Sequence, residues 1–257
     1  KMILGSDSHT RYGALGTMGI GEGGPEIVKQ LLGDSYDVPA PRVILVYLTG
    51  APQWGVGPHD VAIALCGAVY KNGFVKNAVL EFAGPGIKNL PMDYRIGIDV
   101  MSTETACLSS IWATDEKVAE YLRVHGRPEE YKAMAPEEGA YYDAMVSIDL
   151  SLVEPMIALP FHPSEAYTIR ELKENPGDIL RECEKRAEKQ FGGKVKLDLC
   201  SKVKNGNIYV QQGVIAGCSG GMYDNIAQAA AILRGKSIGA GEFSLSVYPP
   251  SLPVNME

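Results

Sequence analysis

Residues 42–48 read RVILVYL, an unbroken apolar and β-branched run set between Pro41 and a Gly/Pro loop, GAPQWGVGP (50–58). A run of this kind suits a strand buried on both faces, and burial of that sort marks a parallel sheet flanked by helices. The next segment, HDVAIALCGAVY (59–70), is apolar almost all round and reads as a buried helix. NAVLEF (77–82) reads as a second strand, and AMVSIDL (144–150) alternates as a strand would. Strands alternating with helices give an α/β class with mostly parallel sheet.

The rest of the chain extends that pattern. MILG (2–5) is a short strand, and PEIVKQLLG (25–33) is a helix opened by Pro25. Helical spacing runs through YRIGIDVMSTETACLSSIW (94–112). Thr114 is the expected cap of TDEKVAEYLRVHG, which Gly126 closes. DILRECEKRAEKQF (178–191) is a charged amphipathic helix. NIYVQQGVIAGC (207–218) and FSLSVYP (243–249) read as strands, with the Ala-rich helix NIAQAAAILRGK (225–236) between them.

Composition narrows the classes of partner. The 257 residues carry 31 acidic and 24 basic side chains, a net charge of −7. Phosphate attraction needs a basic face, so neither nucleic acid nor an anionic membrane surface is an expected partner. No apolar run approaches the roughly 20 residues of a membrane span. The five cysteines are odd in number and widely spread, with no Cys-x-x-Cys, which fits a reducing, cytoplasmic setting. The chain begins at Lys1 and ends at PVNME, and it reads as an excised piece of a longer polypeptide.

Four places carry candidate chemistry. Asp7, Ser8 and His9 follow the first strand and precede a Gly-rich stretch, where an open α/β sheet places ligand groups. In extended chain Asp7 and His9 face one way and Ser8 the other, so they cannot form a triad among themselves. The alternative is a turn in which Asp7 and Ser8 bond to backbone. Gly19 to Gly24 formally match G-x-G-x-x-G, but no good strand precedes them; tight packing and a helix start are the better reading. Cys218 sits where a strand meets a helix N-terminus, a setting that favours thiolate as nucleophile or metal ligand; the alternative is a small residue in a tight strand-to-helix turn. Glu104 lies among the apolar residues Ile98, Val100, Met101 and Cys107, which makes it an acid/base candidate; the commoner alternative is a solvated helix glutamate. His59, His125 and His162 read as surface or capping residues, and Trp54 and Trp112 as packing residues.

At Asp7-Ser8-His9 the chain resembles a known family. GSDSHTRYGALGTMGIGEGG (5–24) resembles the GxDSHT…GxLGxxxxGxGG segment of the aconitase superfamily. RVILVYLTGAPQWGVGPHDVAIALCGAV, MSTETACLSSIWATDEKVAEYL, IDLSLVEPMIALPFHP and GCSGGMYDNIAQAA follow in the family's order. The resemblance implies three-layer αβα iron-sulfur domains: the end of a first domain (1–42), a second (43–178) and the beginning of a third (179–257). It implies a hydro-lyase that reversibly dehydrates a hydroxy-polycarboxylate at a [4Fe-4S] cluster. Asp7, Ser8 and His9 would contact substrate, Glu104 would pair with His9 over the exchanged water, and Cys218 would be one of three cluster thiolates.

The departures are specific. The family's later Cys-x-x-Cys, its late arginines and its serine base have no counterpart here. Ser219-Gly220 replaces Thr-Asn after the cysteine, and Val100 stands where aconitases carry a cluster-contacting Asn. One thiolate cannot hold a cubane. The chain by itself is therefore expected to be inactive and free of cluster, with the remainder of the parent polypeptide as its partner. The rivals are a non-catalytic member of the superfamily and a nucleotide-binding oxidoreductase using Gly19 to Gly24.

Overall fold

A computed structural model describes residues 2–7 and 10–257; Lys1, Ser8 and His9 lie outside the described residues. The order of elements is β1 (Met2–Gly5), β2 (Met18–Gly21), α1 (Gly24–Leu31), β3 (Val43–Thr49), α2 (Pro58–Val69), β4 (Val79–Ala83), α3 (Met92–Met101), β5 (Ser109–Trp112), α4 (Glu116–Val124) and β6 (Ala144–Asp149). There follow β7 (Met156–Ala158), β8 (Ala166–Thr168), α5 (Ile169–Glu174), α6 (Pro176–Gln190), β9 (Val203–Lys204), β10 (Asn207–Ile208), β11 (Gln212–Ala216), α7 (Gly217–Gly220), α8 (Tyr223–Leu233), β12 (Ser244–Tyr248) and α9 (Leu252–Met256). The fold is α/β, as the apolar strand run requires. Among the described residues no helix is long and apolar enough to cross a membrane.

The central sheet is parallel throughout, with order β5-β4-β3-β6. Ile44, Val46 and Leu48 from β3 are completely buried with Leu80 and Phe82 of β4. They form one core with Val61 and Leu65 of α2, Ile96 and Ile98 of α3, and Val118 of α4. Trp112 of β5 stacks on Phe82 with ring centroids 4.2 Å apart. Helices α2 and α3 come close because Gly97 has no side chain; a Cβ there would meet Pro58 Cβ at 2.8 Å. A second, smaller core joins Leu159, Leu172, Leu180 and Cys183 beneath the antiparallel β7–β8 hairpin and α6. Strands β11 and β12 form a separate parallel pair.

Several elements differ from the sequence expectation, each for a physical reason. The helical stretch foreseen over 94–112 stops at Met101. It tightens into a 3-10 turn at Ser102–Thr105, reverses at Ala106 (φ 61°), and becomes strand β5. Polar Ser109 and Ser110 hid the strand because both are buried with partners: the Ser109 hydroxyl donates to the Gly19 carbonyl at 2.6 Å. Asp115, not Thr114, caps α4, its carboxylate accepting from the N–H groups of Lys117 and Val118. The Thr114 hydroxyl is used elsewhere, donating to the Lys132 carbonyl (2.7 Å) and accepting from Met134 N–H (2.8 Å). The 207–218 run splits in two because its halves pair with different partners, β10 with β9 and β11 with β12. Trp54 is not a packing residue: it is 88% exposed in the loop after β3.

The G-x-G-x-x-G stretch does not make a nucleotide loop. Gly19 and Gly21 lie inside β2, paired in parallel with Ile3 and Gly5 of β1. A Cβ on Gly19 would collide with the Thr10 carbonyl, so glycine serves close packing there. Gly23 is the N-cap of α1 with Pro25 in its first turn, which gives the expected helix start.

Candidate functional site

The chain between β1 and β2 is bound tightly to the opposite end of α3. The Arg11 guanidinium, 5% exposed, donates through Nη1 to Cys107 Sγ (3.1 Å) and through Nη2 to the Cys107 carbonyl (2.8 Å). Cys107 Sγ in turn donates to the Ser102 carbonyl at 3.3 Å. Asp99 of α3, fully buried, accepts from Trp112 Nε1 (2.9 Å) and from the Ala14 N–H (3.3 Å). Burial pushes the Asp99 carboxyl above the usual carboxylate range despite these bonds and the Arg11 charge.

Glu104 sits in the middle of the 3-10 turn, not on a regular helix, and is half-buried. Its carbonyl accepts from Cys66 Sγ of α2 (3.3 Å), and its Oε1 accepts from the Thr103 hydroxyl (3.4 Å). Asp7 is exposed and lines a hollow of about 390 Å³ with Ile3, Thr10, Tyr12, Thr17 and Gly19. A larger cleft of about 620 Å³ adjoins it, sharing Ile3, Tyr12 and Thr17 and lined also by Arg127 and Lys132. Neither hollow is lined by Glu104 or Cys218.

Cys218 is exposed on α7, directly after β11. That turn is fastened to α3: the Ser219 hydroxyl donates to the Gly97 carbonyl at 2.9 Å, and Asn225 Nδ2 donates to the Ser219 carbonyl at 2.7 Å. On the β11–β12 pair that leads into this turn, Val214, Val247 and Tyr248 are 44–61% exposed. Gly220 meets His59 at the start of α2, where a Cβ would lie 3.1 Å from the ring. His59 is thus half-buried, not a surface residue, and burial lowers its pKa. Val100 is a core residue, 3% exposed.

The α2–α3 pair therefore carries two of the expected groups. The Cys218 turn rests at Gly97, and Glu104 lies seven residues further along, four in α3 at 1.5 Å each and three in the 3-10 turn at about 2 Å each, roughly 12 Å in all. Arg11 fastens the chain that follows Asp7-Ser8-His9 to the same end as Glu104. Two expected site residues, Ser8 and His9, fall outside the described residues. Arg11 and Asp99 were missed. Each is a lone charge in an apolar or Gly-rich stretch, the signal that singled out Glu104.

A [4Fe-4S] cluster takes several thiolates, and the donor set here does not fit one. Cys66, Cys107 and Cys183 are buried, Cys200 is half-buried, and only Cys218 is exposed. Burial, reinforced by the Glu104 charge, pushes the Cys66 thiol up to about 12. Burial also raises Cys183 and Cys200. Among the described residues no three His, Cys, Asp or Glu side chains gather to hold a metal.

Asp99→Asn is expected to cost about 1–3 kcal/mol, because one of two buried N–H donors loses its acceptor. Its raised pKa sets the sign of the pH dependence. The preference for the protonated carboxyl contributes fully below the unfolded value near 4 and is lost as pH rises through the folded one. Urea denaturation should show a larger cost of the substitution in acid than at neutral pH; a cost that grows with pH would contradict this.

A family model described as Aconitase family (aconitate hydratase) matches residues 1–257. The 3-isopropylmalate dehydratase large subunit of Elusimicrobium minutum is 29% identical over 243 residues, 94% of this chain and 50% of that protein. That of Lachnoclostridium phytofermentans is 28% identical over 258 residues, 100% of this chain and 53% of that protein. The mitochondrial aconitate hydratase of Schizosaccharomyces pombe is 33% identical over 181 residues, 67% of this chain and 23% of that protein. The chain spans about half the length of the isopropylmalate dehydratase subunits it matches.

Proposed function

The chain belongs to the aconitase family, and from that premise we propose that it forms part of a hydro-lyase that reversibly removes water from a hydroxy-polycarboxylate. The observation that carries this reading is the match to the family along all 257 residues. The names of its relatives, isopropylmalate dehydratase and aconitate hydratase, support a reaction of that class.

The roles follow from the chemistry. Hydroxide is a poor leaving group, so it must be protonated as it departs. That task is assigned to His9, with Glu104 holding its imidazole in the working orientation. Asp7 and Ser8 contact the substrate. The Arg11–Cys107 bonds support this assignment, because they tie the chain next to His9 to the turn that carries Glu104. Cys218 is assigned as one ligand of an iron-sulfur cluster whose other thiolates come from outside residues 1–257. The donors in this chain do not complete such a group, and the work assigned to the chain is substrate contact and proton transfer.

The test is turnover. At its full encoded length, supplied with iron and sulfide, the protein is expected to dehydrate citrate, isocitrate or isopropylmalate. Residues 1–257 alone are expected not to. Absence of turnover on all three by the full-length protein would overturn the reading in favour of a non-catalytic family member. Two positions favour that second reading: Val100 is committed to the core, and Gly220 is packed against His59.

A further inference from the structure

We propose that the cleft of about 620 Å³ between the 12–17 turn and the chain that follows α4 binds a small amphipathic anion, a carboxylate carried on an apolar body. The site stands apart from the hydro-lyase reading, and no step of its test depends on turnover.

The cavity has the size of a small-molecule site, roughly 300–1,000 Å³, and its walls are built in advance. One wall is the 12–17 turn, closed by the Thr17 hydroxyl, which donates to the Tyr12 carbonyl at 2.8 Å. The other begins where α4 ends in a left-handed Gly126 (φ 70°). There the Gly126 N–H donates to the Arg123 carbonyl (3.1 Å) and the Arg127 N–H to the Leu122 carbonyl (2.8 Å), a paired closure that fixes the chain direction. Thr114 joins the two walls. Its hydroxyl holds Lys132 and Met134, and its methyl would lie 2.9 Å from a Cβ on Gly16. Gly16, at φ 74°, has no Cβ and lets the 12–17 turn sit that close. The gap is therefore set before a ligand arrives.

The lining chooses the ligand. Ile3, Leu15, Leu122 and the Tyr12 ring supply an apolar surface. Ile3 and Tyr12 remain 39% and 48% exposed, so their apolar atoms hold water that a ligand would displace. Arg127 and Lys132 bring two cationic groups to the same cavity against one carboxylate, Glu130, which leaves the lining one charge positive. This occurs in a chain whose net charge is −7. Arg127 meets Glu130 only at 3.5 Å, with both side chains open to solvent, and such pairs are weakly held. A carboxylate suits that charge, and an apolar body suits the remaining wall. An amine would meet two like charges, and a wholly polar anion would leave the apolar wall wet.

The probe is octanoate, titrated into the protein at its full encoded length and followed by ligand-observed NMR. Saturable binding with a Kd of about 1 mM or tighter is expected. Butyrate keeps the charge and loses apolar body; it should bind at least about tenfold more weakly. Octylamine keeps the body and reverses the charge, and the same loss is expected. Arg127→Gln and Lys132→Gln should each weaken octanoate about 3- to 10-fold. Both side chains are exposed, so the fold should tolerate the changes. As a control, Arg170→Gln removes a cation whose partners are Glu154 and Glu174, outside the cleft, and should bind octanoate as the parent does.

Octylamine binding as tightly as octanoate would overturn the choice of an anion. Octanoate affinity undiminished in the Arg127→Gln/Lys132→Gln double variant would put the bound molecule elsewhere and overturn the site. Absence of saturable binding would mean that the cleft is closed to small molecules in the whole protein, and the proposal would fail.

Discussion

Replacing Arg95 by methionine is expected to remove about 3 kcal/mol of stability, measured by urea denaturation. Arg95 lies on α3 with no solvent exposure. Its guanidinium meets Asp115 in a fork, Nη1 to Oδ1 at 2.9 Å and Nη2 to Oδ2 at 2.6 Å. It also donates to the carbonyls of Leu90 (3.2 Å) and Ile87 (3.0 Å). Removing one member of a buried pair typically costs about 3–5 kcal/mol, because its partners are left unpaired. The Asp115 side chain is 22% exposed and keeps a path to water, which sets the expectation at the lower end. As a control, Arg123→Met breaks the ion pair with Glu120 on the solvent face of α4 and should leave the urea midpoint essentially where it is. An Arg95→Met cost below about 1 kcal/mol would place the buried fork in the same class as that surface pair.

The same substitution should change the response to acid. Burial works against the Asp115 charge, but the Arg95 bonds and charge and the backbone donors of the helix cap outweigh it and hold its pKa below the usual value. Stability from such a group is present above the unfolded value near 4 and is lost as pH falls through the lower folded one. Without Arg95 that acid-side loss should shrink. Equal acid sensitivity in parent and variant would show that Arg95 does not set the Asp115 titration.

What the sequence disclosed, and what it concealed, follows from how side chains are satisfied. RVILVYL disclosed β3 because a strand covered on both faces needs apolar residues at every position, and that pattern survives without knowledge of neighbours. The buried helix α2 was legible for the same reason. Strand β5 was not, because Ser109 and Ser110 occupy core positions and are paid for by bonds that the local pattern does not show, from Ser109 to Gly19, 90 residues away, and between Ser110 and Ser102. Thr114 passed for a cap because its competing partners, Lys132 and Met134, are some twenty residues distant. Trp54 passed for a packing residue because size implies burial only where something packs on it. At the candidate site, the Cys218 turn and Glu104 were marked by local sequence. Their common seat on the α2–α3 pair depends on Gly97, whose lack of a side chain has meaning only against Pro58. Arg11 and Asp99 are meaningful only through Cys107, Trp112 and Ala14, all in separate segments.

Glu104→Gln, in the protein at its full encoded length, is expected to lower kcat by roughly 100- to 10,000-fold, the usual worth of a positioned acid–base group. KM should change by less than about tenfold, because the residue is assigned to orienting His9 for proton transfer and not to gripping substrate. The substitution is conservative for the fold. The bond from Cys66 Sγ goes to the Glu104 carbonyl, which glutamine retains, and the Thr103 hydroxyl at 3.4 Å still finds an amide oxygen. The unfolding midpoint should therefore move little, and lost turnover would report the missing carboxylate. His9→Gln should cost a similar factor. If the two act as one unit, the double variant should be scarcely slower than either single one, because removing the first member already idles the second. Multiplied losses would instead describe two groups working on separate steps. Activity within about threefold of the parent in both single variants would take the proton-transfer role away from this pair, leaving the contacts assigned to Asp7 and Ser8 as the chain's remaining claim on the substrate.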